Sequence, residues 1–163
     1  MPNQRMSRPI EILLIEDNPG DVRLTKEALR TSKLPNRIRV AEDGIEASAI
    51  LFRRGQYADA PRPDLIVLDL NLPRKDGRTV LAEIKTDPEL KRIPVVILTT
   101  SQAVSDIFQA YDMHANCYIT KPMDYDQFQA AIKAIESFWL TVARLPPAKG
   151  EGESRKPLVV HPS

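Results

Sequence analysis

The chain has 163 residues, 42% of them hydrophobic and 28% charged, a composition that builds one compact domain and excludes a disordered or membrane-embedded chain. With 23 basic and 22 acidic residues the formal net charge is +1, too weak a field to select nucleic acid or an anionic membrane as partner. Cys117 is the single cysteine, so an intramolecular disulfide and a thiolate-rich zinc site are excluded; with no apolar core in Met1 to Pro9 and no apolar run near about 18 residues, a soluble cytoplasmic protein is expected.

Residues 1–9 read as an N-terminal extension. Ile10 to Ile15 is a short apolar run that predicts the first strand. Asn18 then caps a helix with Pro19 at its opening position and Val22, Thr25 and Leu29 on one face. Arg37 to Val40 is a weaker alternating strand, and Gly44 to Gly55 a second helix with Ile45, Ala49 and Phe52 in line. Leu65 to Leu70 is the third strand. The helix after it, from Asp76 to about Thr86, carries Val80, Leu81 and Ile84 and stops before Pro88, because the residue before a proline disfavours α geometry.

Val95 to Leu98 is the fourth strand, followed by a helix capped by Ser101 with Val104, Ile107, Phe108 and Tyr111 spaced at three and four residues. Cys117 to Ile119 is the fifth. Asp124 with Gln127 reads as a capping box opening the last helix. Its apolar positions Phe128, Ala131, Ile132, Ile135, Phe138, Trp139 and Val142 fall within an arc of about 120°, a core stripe.

Near-continuous Ile, Leu and Val in the strands suits burial on both faces, as a parallel sheet requires. Five strands alternating with five helices predict an α/β fold: a flavodoxin-like (βα)5 doubly wound parallel sheet with strand order 2-1-3-4-5, spanning residues 10–143. Residues 144–163 are rich in Pro, Gly and charge but end in Leu158, Val159 and Val160. They read either as a solvated tail or as an arm that docks on a second copy to give a homodimer.

Ligands of open α/β sheets bind beyond the carboxyl ends of the strands. There the sequence places Glu16 and Asp17 after strand one, Asp69 after strand three, Thr99 at the end of strand four and Lys121 after strand five. Clustered carboxylates repel unless a cation neutralises them, and an all-oxygen set favours a hard ion such as Mg²⁺. A carboxylate can attack phosphorus to give an aspartyl phosphate, with metal and ammonium offsetting the added charge. Asp69, central to the set, is the expected nucleophile. Asp64, Asp76, Asp87 and Asp106 read as turn or helix-start residues, and His114 and His161 lack companion ligands.

The segments LLIEDNPGD, LIVLDLNLPRKDG, VVILTTS and CYITKP together resemble the response-regulator receiver domain over about residues 10–142. DVRLTKEAL, ANCYITKP and ESFWL further resemble the single-domain regulators that partner phytochrome-type histidine kinases. The resemblance implies direct Mg²⁺ ligation by Asp17 and Asp69, Glu16 acting through water, and the Asn71 backbone carbonyl completing the protein ligands. Glu16 stands where Asp is commoner. It also implies that Thr99 and Lys121 bind the phosphoryl group, that Tyr118 enters space vacated by Thr99, and that Asn71 and Ser101 set the rate of self-hydrolysis. A cis peptide between Lys121 and Pro122 belongs to the same pattern.

A signalling switch is therefore expected, phosphorylated by a histidine kinase and not a metabolic enzyme. A haloacid-dehalogenase-type phosphatase is disfavoured because Asn71 stands where a second Asp is needed. A DNA-binding output is disfavoured because too few residues follow the last helix. A pseudo-receiver scaffold is the remaining alternative, though none of the acidic set is missing.

Overall fold

In the computed structural model, which describes residues 8–31, 34–142 and 145–146, strands and helices alternate along the chain. The order is β1 (Ile10–Ile15), α1 (Pro19–Arg30), β2 (Asn36–Ala41), α2 (Gly44–Leu51), β3 (Leu65–Leu68), α3 (Gly77–Thr86), β4 (Val95–Thr99), α4 (Val104–Asp112), β5 (Cys117–Thr120) and α5 (Tyr125–Ile135). The sheet is wholly parallel with the order β2-β1-β3-β4-β5, the expected doubly wound topology.

Alternate residues of each strand feed two cores. On one face Leu13, Ile15, Ile66, Leu68, Val95 and Ile97 meet Ala47 and Ile50 of α2, Val80, Leu81 and Ile84 of α3, and Ala110 of α4. On the other, Ile12, Leu14, Leu65, Val67, Val96 and Leu98 meet Ala28 and Leu29 of α1 and Phe128, Ile132 and Ile135 of α5. The period of two in a strand thus divides the helices between the faces.

Two glycines set the approach of α2 and α3 to the segment after β3. A Cβ on Gly77 would lie 2.3 Å from the Asp69 carbonyl oxygen, and one on Gly44 would lie 2.1 Å from the Lys75 carbonyl oxygen. Asp43 and Asp76 are the caps immediately before them, accepting from the backbone N–H of Glu46 and Arg78.

Several expected boundaries shift. The second helix ends at Leu51, with Phe52 as its cap, and the chain passes through Arg53 at φ 53° into a separate single turn, Gly55–Tyr57. Ser101 does not cap α4: the cap position is Ala103, with no side-chain bond, and the Ser101 hydroxyl donates to Asp106 instead. The apolar stripe of α4 faces outward, with Val104, Phe108 and Tyr111 exposed, because the helix packs through small Ala110. Asp124 does cap α5, accepting from the Gln127 N–H.

Beyond Ile135 the helix continues as a π-helical segment, Glu136–Val142. Its wider turn breaks the 100° phase, so Phe138 leaves the core stripe and is 51% exposed, meeting the partly buried Trp139 edge-on at 5.1 Å. The Val142 side chain, His161, and the 147–163 part of the tail with Leu158 to Val160 lie outside the described residues. Among the described residues no helix is long and apolar enough to cross a membrane.

Candidate functional site

At the carboxyl edge of the sheet β1, β3, β4 and β5 release polar side chains into the same space. β1 ends at Ile15, and the next carboxylate, Glu16, is pinned by the Asn18 N–H at 3.1 Å. Asn18 works twice, since its side chain also accepts from the Asp21 N–H to cap α1. β3 ends at Leu68, leaving Asp69 outside the strand, where one carboxylate oxygen accepts from the Asn71 N–H at 3.0 Å. Thr99 closes β4 fully buried, and the Lys121 N–H bonds its carbonyl at 2.7 Å, carrying the register of β4 and β5 to the rim.

The Lys121 ammonium is the hub. It lies 2.6 Å from Glu16, 2.9 Å from Asp69 and 2.9 Å from Asp21. The resemblance led to a cis peptide at Lys121–Pro122, but the described residues contain none and this bond is trans. The ammonium is aimed by its three carboxylate partners.

The ligand oxygens of Glu16, Asp17 and Asp69 converge to within 4.8 Å of one another. Glu16 and Asp69 are buried while Asp17 is exposed, so the cluster opens to solvent on one side. Burial pushes the Glu16 carboxyl up to about 7, the Lys121 contact pulls the other way, and nearby Asp69 adds to the rise. For Lys121, burial acts to lower its value, but hydrogen bonds to Glu16, Asp21 and Asp69 outweigh it, so the ammonium stays charged. Three carboxylates thus pair with one ammonium and a fourth, Asp17, adjoins two of them, a local excess of negative charge in a half-dry site. Three convergent oxygen donors with an open side fit a hard divalent cation that keeps waters of its own.

Around this centre lie the expected switch residues. The Asn71 side-chain amide donates to the Thr99 hydroxyl at a long 3.5 Å. The Tyr118 hydroxyl donates to the Ser101 carbonyl at 3.0 Å, and its N–H donates to the Tyr111 hydroxyl at 3.1 Å. The Ser101 hydroxyl donates to Asp106 at 2.5 Å, and Asp106 pairs with Arg78 at 2.8 Å, which ties the start of α4 to the start of α3. Asp106 is therefore more than a helix-start acid.

Other acids are structural as expected. Asp64 accepts from the Glu11 N–H, Asp76 caps α3, and Asp87 accepts from the N–H groups of Glu89 and Leu90. His114 sits at φ 69° just past α4. Sequence reasoning missed Asp21 and the Arg78–Asp106 bridge. Asp21 had one available signal: an acid in the first turn of the helix that leaves the Glu16–Asp17 rim. A bridge between α3 and α4 leaves no local pattern.

The model of the response regulator receiver domain family matches residues 12–133, and the chain belongs to that family. It is a signalling protein with the phosphoacceptor receiver role. Response regulator Rcp1 of Synechocystis sp. is 50% identical over 140 residues, covering 86% of this chain and 95% of Rcp1. Among solved structures, the phosphorylated cyanobacterial phytochrome response regulator RcpA aligns with a TM-score of 0.84 at 56% identity, covering 86% of this chain and all of RcpA (100%). The Mn²⁺-bound form of Rcp1 aligns with a TM-score of 0.84 at 50% identity, covering 85% of this chain and 100% of that one.

Proposed function

We propose that Asp69 is the phosphoacceptor and that a phosphohistidine of a phytochrome-type histidine kinase is the donor. The observation that supports this most is the Lys121 ammonium at 2.9 Å from Asp69, inside an acidic cluster spanning 4.8 Å. An Asp69 oxygen attacks phosphorus, the bond from phosphorus to the donor nitrogen breaks, and the imidazole leaves with the electron pair. Lys121 turns N–H donors toward the phosphoryl oxygens, and the Thr99 hydroxyl adds another. Glu16, Asp17 and Asp69, with the Asn71 carbonyl, would hold Mg²⁺, which supplies charge neutralisation at the phosphoryl group when bound. Support for a divalent ion comes from the donor set and from the Mn²⁺-bound form of the relative Rcp1.

Output follows from a population shift. As Thr99 turns to the phosphoryl group, Tyr118 exchanges its bond to the Ser101 carbonyl for the space Thr99 leaves, remodelling the α4–β5–α5 surface. Asn71 and Ser101 set the rate at which water attacks the acyl phosphate. The protein acts through protein contacts in the cytoplasm and not through nucleic acid, in keeping with a net charge of +1. Its own phosphorylation and hydrolysis are its only chemistry. Residues 10–143 form the receiver domain, 1–9 extend it, and the 144–163 tail serves as the arm of a homodimer.

Intact-mass measurement after incubation with acetyl phosphate, with and without Mg²⁺, tests the site. A metal-dependent phosphoryl adduct on the wild type and none on folded Asp69→Asn is expected. An adduct that persists in Asp69→Asn overturns the assignment.

A further inference from the structure

Among the described residues Lys121 has three carboxylate partners of two kinds. Glu16 and Asp69 belong to the cluster whose oxygens converge for a cation, whereas Asp21 does not. A divalent ion among Glu16, Asp17 and Asp69 competes with the ammonium for the same lone pairs. Asp21 is then the remaining carboxylate in contact with Lys121 that the cation leaves alone.

Its placement suits that part. Asp21 sits in the first turn of α1 with its N–H capped by Asn18 at 3.0 Å, and the Asn18 N–H in turn holds Glu16 at 3.1 Å. An acid in a first helical turn is ordinarily a solvated partner of the helix dipole. Asp21 instead reaches a lysine whose side chain is only 5% exposed, 100 positions along the chain, at 2.9 Å. An ammonium has three N–H donors, so Asp21 can keep one while the others face Asp69 and an incoming phosphoryl group.

We propose that Asp21 is a positioning residue for phosphoryl transfer: it holds the Lys121 ammonium beside Asp69 when a cation occupies the acidic cluster. This rests on Asp69 being the phosphoacceptor. With acetyl phosphate as donor, the bond from an Asp69 oxygen to phosphorus forms as acetate leaves with the electron pair.

The test uses the full chain with Mg²⁺. In Asp21→Asn the rate of adduct formation at saturating acetyl phosphate falls about tenfold, the cost of one charge-assisted hydrogen bond, while Mg²⁺ affinity falls by less than the rate does. In a Lys121→Ala background the same substitution lowers the residual rate no further. A second readout needs no phosphorylation: the ¹⁵N–¹H signal of the Lys121 ammonium, protected from solvent exchange in the Mg²⁺-loaded wild type, is lost in Asp21→Asn. A retained ammonium signal, an additive loss in the double variant, or an equal fall in Mg²⁺ affinity would each overturn the proposal. Failure of the wild type to form any adduct would count against Asp69, while the ammonium signal would still decide Asp21.

Discussion

Lys121 neutralises part of a crowd of carboxylates, and removing it shows what that crowd costs. Lys121→Ala leaves Glu16 and Asp69 buried without their cation, so the metal-free variant loses about 3 kcal/mol of stability, read as a lower denaturation midpoint. Added Mg²⁺ restores more of that stability than it adds to the wild type. Equal stabilisation of both proteins by Mg²⁺ would contradict the electrostatic account. Away from the site, burial acts to raise the Glu83 carboxyl, but hydrogen bonds from Lys75 and Ser48 outweigh it and hold Glu83 below its ordinary value of 4.5. A depressed folded value gives stability that is complete above pH 4.5 and lost as pH falls through the lower folded value. Glu83→Gln therefore costs about 0.5–1 kcal/mol at neutral pH, because the pair is partly solvated, and the difference from wild type disappears in acid. Glu16, Asp17, Asp69, Thr99 and Lys121 were legible in the sequence because each sits at a strand end that apolar patterning marks. Asp21 was not, since its role depends on where a lysine 100 positions away points its side chain.

Elements were legible where burial is strong and obscure where it is weak. Leu65, Ile66, Val67 and Leu68 of β3 are buried on both faces, so an unbroken apolar run marked them. The α4 stripe has helical spacing but faces solvent, because periodicity records which residues share a face and not which way that face turns. The phase change at Glu136–Val142 is a backbone event with no residue signature such as Gly or Pro. The segment from Asp69 to Gly77 connects element to site, since Gly77 lets α3 start against the Asp69 backbone with no room for a methyl group. Gly77→Ala is expected to lower stability by about 1–3 kcal/mol through overpacking and to weaken Mg²⁺ binding by moving Asp69. Calorimetric titration with Mg²⁺ checks it, and an unchanged affinity would show that the Gly77 contact does not position the carboxylate.

At the scale of the whole molecule, a wholly parallel sheet with helices on both faces leaves one edge for chemistry, and four of its five strands deliver the residues found there. Strand order was legible because right-handed crossovers and short connections leave few arrangements for alternating strands and helices. The expected homodimer arm rests on less, the β-prone Leu158, Val159 and Val160 in a tail whose Pro, Gly and charge give it no core pattern of its own. If the tail is a dimer arm, deleting residues 146–163 halves the mass measured by sedimentation equilibrium while phosphorylation persists. A truncated protein of unchanged oligomeric state removes the arm from the account.

The proposed phosphorylation joins an oxygen of Asp69 to phosphorus, and reduction of the phosphorylated protein with borohydride reads that bond directly. An aspartyl phosphate is converted to homoserine, which peptide mass spectrometry locates. Homoserine at position 69 alone, dependent on Mg²⁺ during phosphorylation, is the predicted result; homoserine at another aspartate, or none in protein that carries the phosphoryl mass, would contradict it.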